Sequence, residues 1–229
     1  MQKRIWELDA LRGIAILMMV AVHFVYDFSD IFPFADSNWF YILKQWGGYI
    51  FVALSGICAT LGSRPVKRGL TVFLCGMLCT AVTVGMYLLG MAGKSICIWF
   101  GALHCLGACM MLWPLFRNMP NLLLAVCGIT AIAVGWICEQ HIKVSFPWLI
   151  PLGITYPGFA TADYFPLVSN FGVFLLGSMA GRLLYPRKQS LWSHTALPAP
   201  MRFLCACGRH SLWIYLLHQP VISIIGAFV

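Results

Sequence analysis

The sequence predicts an all-α membrane protein, a bundle of about seven transmembrane helices with an added hairpin that lies at the outer face or re-enters the membrane. Of the 229 residues, 61% are hydrophobic and only 10% are charged. Soluble domains carry about 25% charged residues. A chain this apolar cannot cover its surface with polar groups, so lipid must surround most of it. The apolar residues also fall into runs, as membrane helices of roughly 20 residues require.

The predicted membrane helices coincide with these apolar runs. In chain order the runs cover residues 13–28, 47–62, 69–92, 98–116, 121–138, 167–184 and 211–228. A polar and aromatic stretch that ends at Trp46 separates the first two runs, and a short basic loop at residues 63–68 follows the second. Runs and short loops use the whole length, so we expect residues 1–229 to form a single transmembrane domain.

Residues 147–166 are apolar, but their sequence does not favour a membrane helix. Pro147, Pro151, Pro157 and Pro166 interrupt the segment. Proline removes a backbone donor and clashes with the preceding turn, so none of the intervals is long enough to cross the bilayer as a helix. Non-helical backbone is tolerated at membrane depth only where protein or water covers it. We therefore predict an outer-face or re-entrant hairpin packed against protein.

The basic residues predict the orientation of the bundle. If the N-terminus is cytoplasmic, all of the 15 lysines and arginines except Lys44, Lys94 and Lys143 fall on the inside. This asymmetry follows the positive-inside rule and places the C-terminus outside. It also explains the net charge of +8 without a nucleic-acid partner, which we exclude because no binding motif lies outside the runs.

The ten cysteines lie mostly within the apolar runs, where a thiol is usually a small packing group. The sequence lacks the paired Cys-x-x-Cys spacing of a zinc site, so we expect no bound metal. Cys97 and Cys138 are predicted near the outer face, where a disulfide between them stays open.

Ionisable groups inside membrane helices are costly and therefore candidates for function. His23 lies deep in the first run, and Arg12 lies near its cytoplasmic end. Eleven helical residues rotate by about three turns plus 20° and rise about 16 Å, so the two side chains share a face. Asp27, one turn beyond His23, is placed to hold its imidazole. Asp9, one turn before Arg12, is placed to pair with it.

Other polar groups are predicted at similar depths. His104 lies near the outer end of the fourth run, His218 in the middle of the last, and Asp163 in the hairpin. Arg209 and His210 stand at the cytoplasmic end of the last run. Each has a simpler interpretation: a packed, hydrogen-bonded histidine, a turn or helix cap near Pro166 for Asp163, and plain positive-inside charge for Arg209. Arg12 alone is equally consistent with a residue snorkelling to the interface.

Four stretches resemble the heparan-α-glucosaminide N-acetyltransferase catalytic-domain family, particularly its short bacterial members. They are LDALRGIAILMMV at 8–20 with His23-Phe24, FGALHCLG at 100–107, ADYFP at 162–166 with FGVFLLG at 171–177, and GRHSLWIYLLHQP at 208–220. Their order and positions extend the resemblance over nearly the whole chain. The wider transmembrane acyltransferase superfamily, which includes the acyltransferase 3 proteins, shares a basic residue and a first-span histidine, here Arg12 and His23.

The resemblance implies acyl transfer from cytosolic acetyl-CoA to an amine or hydroxyl of a sugar-type acceptor at the outer side of a bacterial inner membrane. On this hypothesis Arg12, Arg209 and the basic loop hold the phosphates of CoA. His23 is then the general base, and Asp27 fixes its tautomer. The other polar groups bind the acceptor or stabilise the oxyanion. The basic-loop residues are Arg64, Lys67 and Arg68, and the acceptor-side residues are His104, Asp163 and His218.

Two other classes of function stay open from the sequence. A proton-coupled transporter also uses intramembrane histidine and aspartate groups, although no inverted repeat is visible here. A structural or sensory membrane protein would leave the polar face of the first run unexplained. Membrane lipid, a CoA thioester and a saccharide are the expected partners, and a homodimer stays open.

Overall fold

The computed structural model describes residues 5–192 and 197–228, with the backbone alone at residues 35, 36, 41, 44 and 45. Over these ranges the chain forms eight α-helices, three short 3₁₀ helices and no β-strand. The α-helices are α1 Trp6–Asp27, α2 Asn38–Leu61, α3 Pro65–Leu88, α4 Ala102–Phe116, α5 Asn121–His141, α6 Leu167–Leu184, α7 Ala199–Arg209 and α8 Ser211–Gly226. The 3₁₀ helices are Pro33–Asp36, Lys94–Ile96 and Pro147–Leu152. The prediction of an all-α fold is therefore confirmed.

Four of the described helices, α1, α3, α5 and α6, are long and apolar enough to cross a membrane. Three shorter apolar segments accompany them, at Trp46–Leu61, Ala102–Phe116 and Ser211–Gly226. The chain is thus an integral membrane protein by helix length and composition. The number of seven spans stays a prediction, because α4 and α8, with 15 and 16 residues, are shorter than a full crossing.

Several helices begin earlier than the apolar runs. Helix α1 starts at Trp6 because Glu7 and Asp9 lie in its first turn, where carboxylates are favourable near the helix N-terminus. Helix α3 starts at Pro65, so the predicted loop at 63–68 is wrong in part: Lys67 and Arg68 lie in the first helical turn. Proline suits that position because its missing N–H would have had no partner there.

The short helix α7 was not predicted from the sequence. In Ala199–Arg209, Cys205, Cys207 and Gly208 are buried, whereas Arg202 and Phe203 are exposed. The segment is polar enough on average that its sequence predicts a loop. Its helical character depends on packing against α1, which sequence hydropathy does not report.

The hairpin at 147–166 contains no α-helix, as its prolines predict. It begins with the 3₁₀ helix Pro147–Leu152 and turns at Gly153, whose φ of 98° is readily adopted only by glycine. Its far end runs beside residues 97–100: the Ala162 N–H donates to the Cys97 carbonyl at 3.3 Å, and the Phe165 N–H donates to the Phe100 carbonyl at 3.0 Å. This pairing shortens α4, which starts at Ala102 instead of residue 98.

The chain divides into two compact units. The first comprises Met1–Leu54 and Leu184–Val229, and the second comprises Ser55–Leu183. In the first unit, α1 packs closely against α7 through Gly13, which faces the Leu204 carbonyl, and Gly208, which faces the Asp9 carbonyl. Small residues allow membrane helices to approach in this way.

In the second unit, glycines allow close helix packing at more positions. Gly69, Gly76 and Gly107 bring α3 against α4, and Gly128 and Gly172 bring α5 against α6. Within this unit the buried rings of Trp113 and Phe174 fill the space between α4 and α6, with ring centroids 6.2 Å apart.

Candidate functional site

In the first unit, the cytoplasmic end expected for α1 carries an ion pair. The Arg12 guanidinium contacts the Asp9 carboxylate, as the sequence predicts. Asp9 is buried, whereas Arg12 is half-buried. The pair keeps a costly buried carboxylate neutralised directly beside the Gly208 contact, so it fixes the place where α1 and α7 meet.

A second buried carboxylate at this end was missed from the sequence. Glu7, 5% exposed, accepts hydrogen bonds from the Ser190 hydroxyl and the Leu191 N–H, both at 2.7 Å. The Trp6 indole N–H donates to the Trp192 carbonyl at 3.1 Å. These contacts tie the segment after α6 to the first turn of α1. The sequence signal for this buried carboxylate was an acidic residue at an otherwise apolar helix start.

His23 of α1 and His218 of α8 lie together. Their ring centroids are 4.9 Å apart and their planes are inclined at 64°, an edge-to-face arrangement. His218 also forms a hydrogen bond between its Nδ1 and the Tyr215 carbonyl at 2.5 Å. The structure thus brings together two of the histidines selected from the sequence, one from the first matching stretch and one from the last.

Asp27, at the end of α1, contacts the same turn of α8. Its Oδ2 accepts a hydrogen bond from the Gln219 amide at 2.6 Å. The role predicted for Asp27, fixing the tautomer of His23, stays a prediction. The observed bond links the residue that follows His218 to the residue one turn beyond His23, and therefore clamps α8 to α1 beside the histidine pair.

His104 belongs to the second unit and is 2% exposed. Its Nδ1 accepts a hydrogen bond from the Gly101 N–H at 3.3 Å, so a neutral ring carries its proton on Nε2. Nε2 lies 3.3 Å from the Thr80 hydroxyl, which itself donates to the Ile98 carbonyl at 2.7 Å. Both ring nitrogens therefore help to hold the start of α4 against α3.

Asp163 also holds the start of α4. Its Oδ2 accepts a hydrogen bond from the Ala102 N–H at 2.8 Å, which satisfies a donor that the first turn of a helix leaves free. The carboxylate charge is favourable there. His104 and Asp163 are thus both at the start of α4 in the second unit, and His23, Asp27 and His218 form a group in the first unit.

Apart from the half-buried Arg12, the basic residues proposed for phosphate binding are exposed. Arg64, Lys67 and Arg68 surround the start of α3 in the second unit, and Arg209 ends α7 in the first. Arg182, which no sequence motif marks, has a structural role. Its guanidinium donates to the Arg117 carbonyl, to the Met119 carbonyl at 2.6 Å and to Asn121 Oδ1 at 3.3 Å.

A polar cluster in the second unit was also missed. The Ser169 hydroxyl donates to Glu139 Oε1 at 2.6 Å, and Lys143 Nζ donates to the Thr155 hydroxyl at 2.8 Å. The Tyr164 hydroxyl donates to the Ile150 carbonyl at 2.8 Å. Burial, and next the Glu139 carboxylate, raise the pKa of Tyr164 well above its usual range. The cluster fastens the hairpin to α5 and α6.

Cys97 and Cys138 are both free thiols, so the disulfide that the sequence left open is not formed. Among the described residues, no group of three or more histidine, cysteine or acidic side chains is arranged to hold a metal ion.

Comparison with known proteins gives one informative result. The profile of the family described as "Heparan-alpha-glucosaminide N-acetyltransferase, catalytic" matches residues 4–220. No curated protein and no solved structure matches the chain significantly. The matched range contains all four stretches on which the resemblance was based. The chain therefore belongs to the heparan-alpha-glucosaminide N-acetyltransferase catalytic-domain family, whose members are membrane acetyltransferases.

Proposed function

We propose that this protein transfers an acetyl group from cytosolic acetyl-CoA to an amine or hydroxyl of a sugar-type acceptor at the outer side of a bacterial inner membrane. The family match supports the reaction class. The observation that supports a particular site for the reaction is the contact between His23 and His218, whose ring centroids are 4.9 Å apart. It joins two distant matching stretches around titratable groups that a membrane helix would otherwise exclude.

Arg209 is the leading candidate for the phosphates of CoA. It is exposed at the end of helix α7, and no ion pair of its side chain is among the contacts described. Arg12 is already paired with Asp9, so it offers only its remaining N–H groups. Arg64, Lys67 and Arg68 are exposed cations of the second unit and form the other candidate set. Arginine suits the task because its planar fork matches phosphate oxygens.

The histidine pair supplies the acid–base chemistry of the reaction. The acceptor must lose a proton as it attacks the thioester, and imidazole removes it well because its ordinary pKa is about 6.5. Asp27 and Gln219 hold the helices on either side of the pair. For His104 and Asp163 we propose a positioning role, because their polar atoms hold the start of α4.

The test is acetyl-CoA binding by the purified protein in detergent, measured by calorimetry. Wild type should bind, and Arg209→Gln should weaken binding at least tenfold. Arg117→Gln is the matched control, since its side chain is equally exposed and only its backbone carbonyl is used. A triple change of Arg64, Lys67 and Arg68 to glutamine tests the second set. A folded wild type without affinity for acetyl-CoA would contradict the proposal and favour a transporter.

A further inference from the structure

Helix α7 is too short to cross a membrane. Its 11 residues extend over about 16 Å, roughly half of the hydrocarbon thickness of a bilayer. It packs on the first turns of α1, where Gly208 lies against the Asp9 carbonyl and the Cys205 thiol donates to the Trp6 carbonyl at 3.4 Å. This is the end of α1 that the basic residues predict to be cytoplasmic. We therefore expect α7 at the cytoplasmic surface of the membrane.

The side of α7 that faces away from α1 carries a cation next to an aromatic ring. Cys205, Cys207 and Gly208 are buried, whereas Arg202 is exposed and Phe203 is 60% exposed. At about 100° per residue, Arg202 and Phe203 lie on either side of the direction opposite to the buried residues. This pairing is typical of a helix at a membrane interface, where the ring enters the acyl boundary and the cation reaches the headgroups.

The segment before α7 adds a second exposed ring at the same end of α1. Trp192 is 57% exposed, and its ring centroid lies 6.3 Å from that of Trp6. The Trp6 indole N–H donates to the Trp192 carbonyl, and the Glu7 carboxylate accepts from the Leu191 N–H. Because the Trp6 carbonyl also accepts from Cys205, Trp6 joins α7 and this segment. Tryptophan is enriched at the membrane–water interface, so Trp192 fits the same surface as Phe203.

The exposed charge around α7 is positive. Arg187 and Lys188, in the segment before α7, are exposed, as is Arg202. The acidic residues in the first turns of α1, Glu7 and Asp9, are buried and already hold partners within the protein. No ion pair of Arg187 or Arg202 is among the contacts described. A cationic surface with exposed aromatic rings is complementary to anionic headgroups, which the cytoplasmic leaflet supplies.

We infer that Arg187, Lys188, Trp192, Arg202 and Phe203 form a docking surface for anionic phospholipid, which we call the α7 surface. The two rings lie at the acyl boundary, and the three cations donate hydrogen bonds to the oxygens of the headgroups. The exposed arginine that ends α7 stays the candidate for the phosphates of CoA and is not part of this surface. Lipid binding here is independent of the proposed acetyl transfer.

The test introduces a photoreactive benzoylphenylalanine in place of Phe203 in the full chain. The protein is placed in nanodiscs of equimolar phosphatidylcholine and phosphatidylglycerol, and mass spectrometry identifies what is captured on illumination. Phosphatidylglycerol should exceed phosphatidylcholine about fivefold or more, because one basic residue near the surface favours an anionic lipid by about that factor. Capture of no lipid, of both lipids equally, or of a second copy of the chain would overturn the inference.

Two triple variants distinguish the α7 surface from basic charge in general. The first changes the three cations of the α7 surface to glutamine and should bring the capture ratio at position 203 close to equality. The second changes Arg64, Lys67 and Arg68 of the second unit to glutamine, which removes the same kinds of charge, and should leave the ratio unchanged. Arg202→Gln alone should lower the ratio in part. An equal loss of selectivity in both triples would overturn the inference.

Discussion

Gly208 lies directly against the backbone carbonyl of Asp9, so closely that a Cβ atom at position 208 would overlap that oxygen. Asp9 in turn holds Arg12, the basic residue that the family resemblance selected. The first and last matching stretches of the chain therefore meet through backbone contact. The small residue is required there because α1 and α7 have no room for a side chain between them.

Gly208→Ala should accordingly destabilise the protein. The added methyl group forces α1 and α7 apart, and overpacking of this kind costs about 1–3 kcal/mol. Thermal unfolding in detergent, followed by circular dichroism, should show a lower Tm. Gly85→Ala in α3 is the control, because nothing lies within 4 Å of a Cβ there. An equal Tm for Gly208→Ala and wild type would contradict the close crossing.

The cap of α4 predicts a difference between two substitutions of Asp163. Asp163→Ala removes the acceptor for the Ala102 N–H and should cost about 1–2 kcal/mol, as loss of a helix cap does. Asp163→Asn keeps an oxygen acceptor and should retain most of that stability. The same unfolding measurement distinguishes them. If both variants were as stable as wild type but inactive, Asp163 would act on the substrate rather than on α4.

Arg182 should be among the most sensitive basic residues to substitution. Its guanidinium donates to two carbonyls after α4 and to Asn121, and it lies over the Trp113 ring at 5.3 Å. Hydrogen bonds from charged groups contribute about 1.5–3 kcal/mol, so Arg182→Ala should lower Tm clearly. Arg182→Lys should recover little, because an ammonium cannot reproduce the planar fork. Arg117→Ala, which removes an exposed side chain, should leave Tm unchanged.

Tyr164 predicts a loss of stability at alkaline pH. Burial and the Glu139 carboxylate raise the pKa of its phenol in the folded protein. Folding therefore favours the neutral phenol. The stability that results is complete below the ordinary tyrosine pKa of about 10 and declines as the pH rises above it. The Tm of wild type should fall more steeply between about pH 9 and 11 than that of Tyr164→Phe. The measurement compares the two Tm values at intervals of about half a pH unit. Parallel curves for the two proteins would contradict a buried phenol.

Hydropathy was sufficient to predict the bounds of a helix whose ends are marked by a proline or by basic residues. Helix α6 was predicted at 167–184 and is observed at Leu167–Leu184, because Pro166 precedes it and a basic segment follows. The absence of an α-helix at 147–166 was predicted from its prolines and from the charge asymmetry. Helix α7 was missed because its short, mixed sequence is helical only when its apolar side packs on α1.

The candidate site was predictable in its residue types but not in its grouping. Histidines, an arginine and aspartates within or beside apolar runs are visible in the sequence as costly exceptions. Which of them meet depends on contacts between distant segments, such as His23 with His218 and Asp163 with Ala102. Glu7 and Glu139 were not predicted as site residues because each lies near the end of a helix, where a carboxylate is expected to be solvated. Their burial is seen only in the folded chain.

The reaction proposed for this chain is transfer of an acetyl group across a membrane. It is tested most directly in sealed proteoliposomes that enclose glucosamine, with acetyl-CoA labelled in the acetyl group added outside. Molecules whose cytoplasmic face points outward should use the external donor, so labelled N-acetylglucosamine should appear within the vesicles, and His218→Ala should abolish it. Labelled product confined to the outside, or none with a wild type that binds acetyl-CoA, would contradict the account.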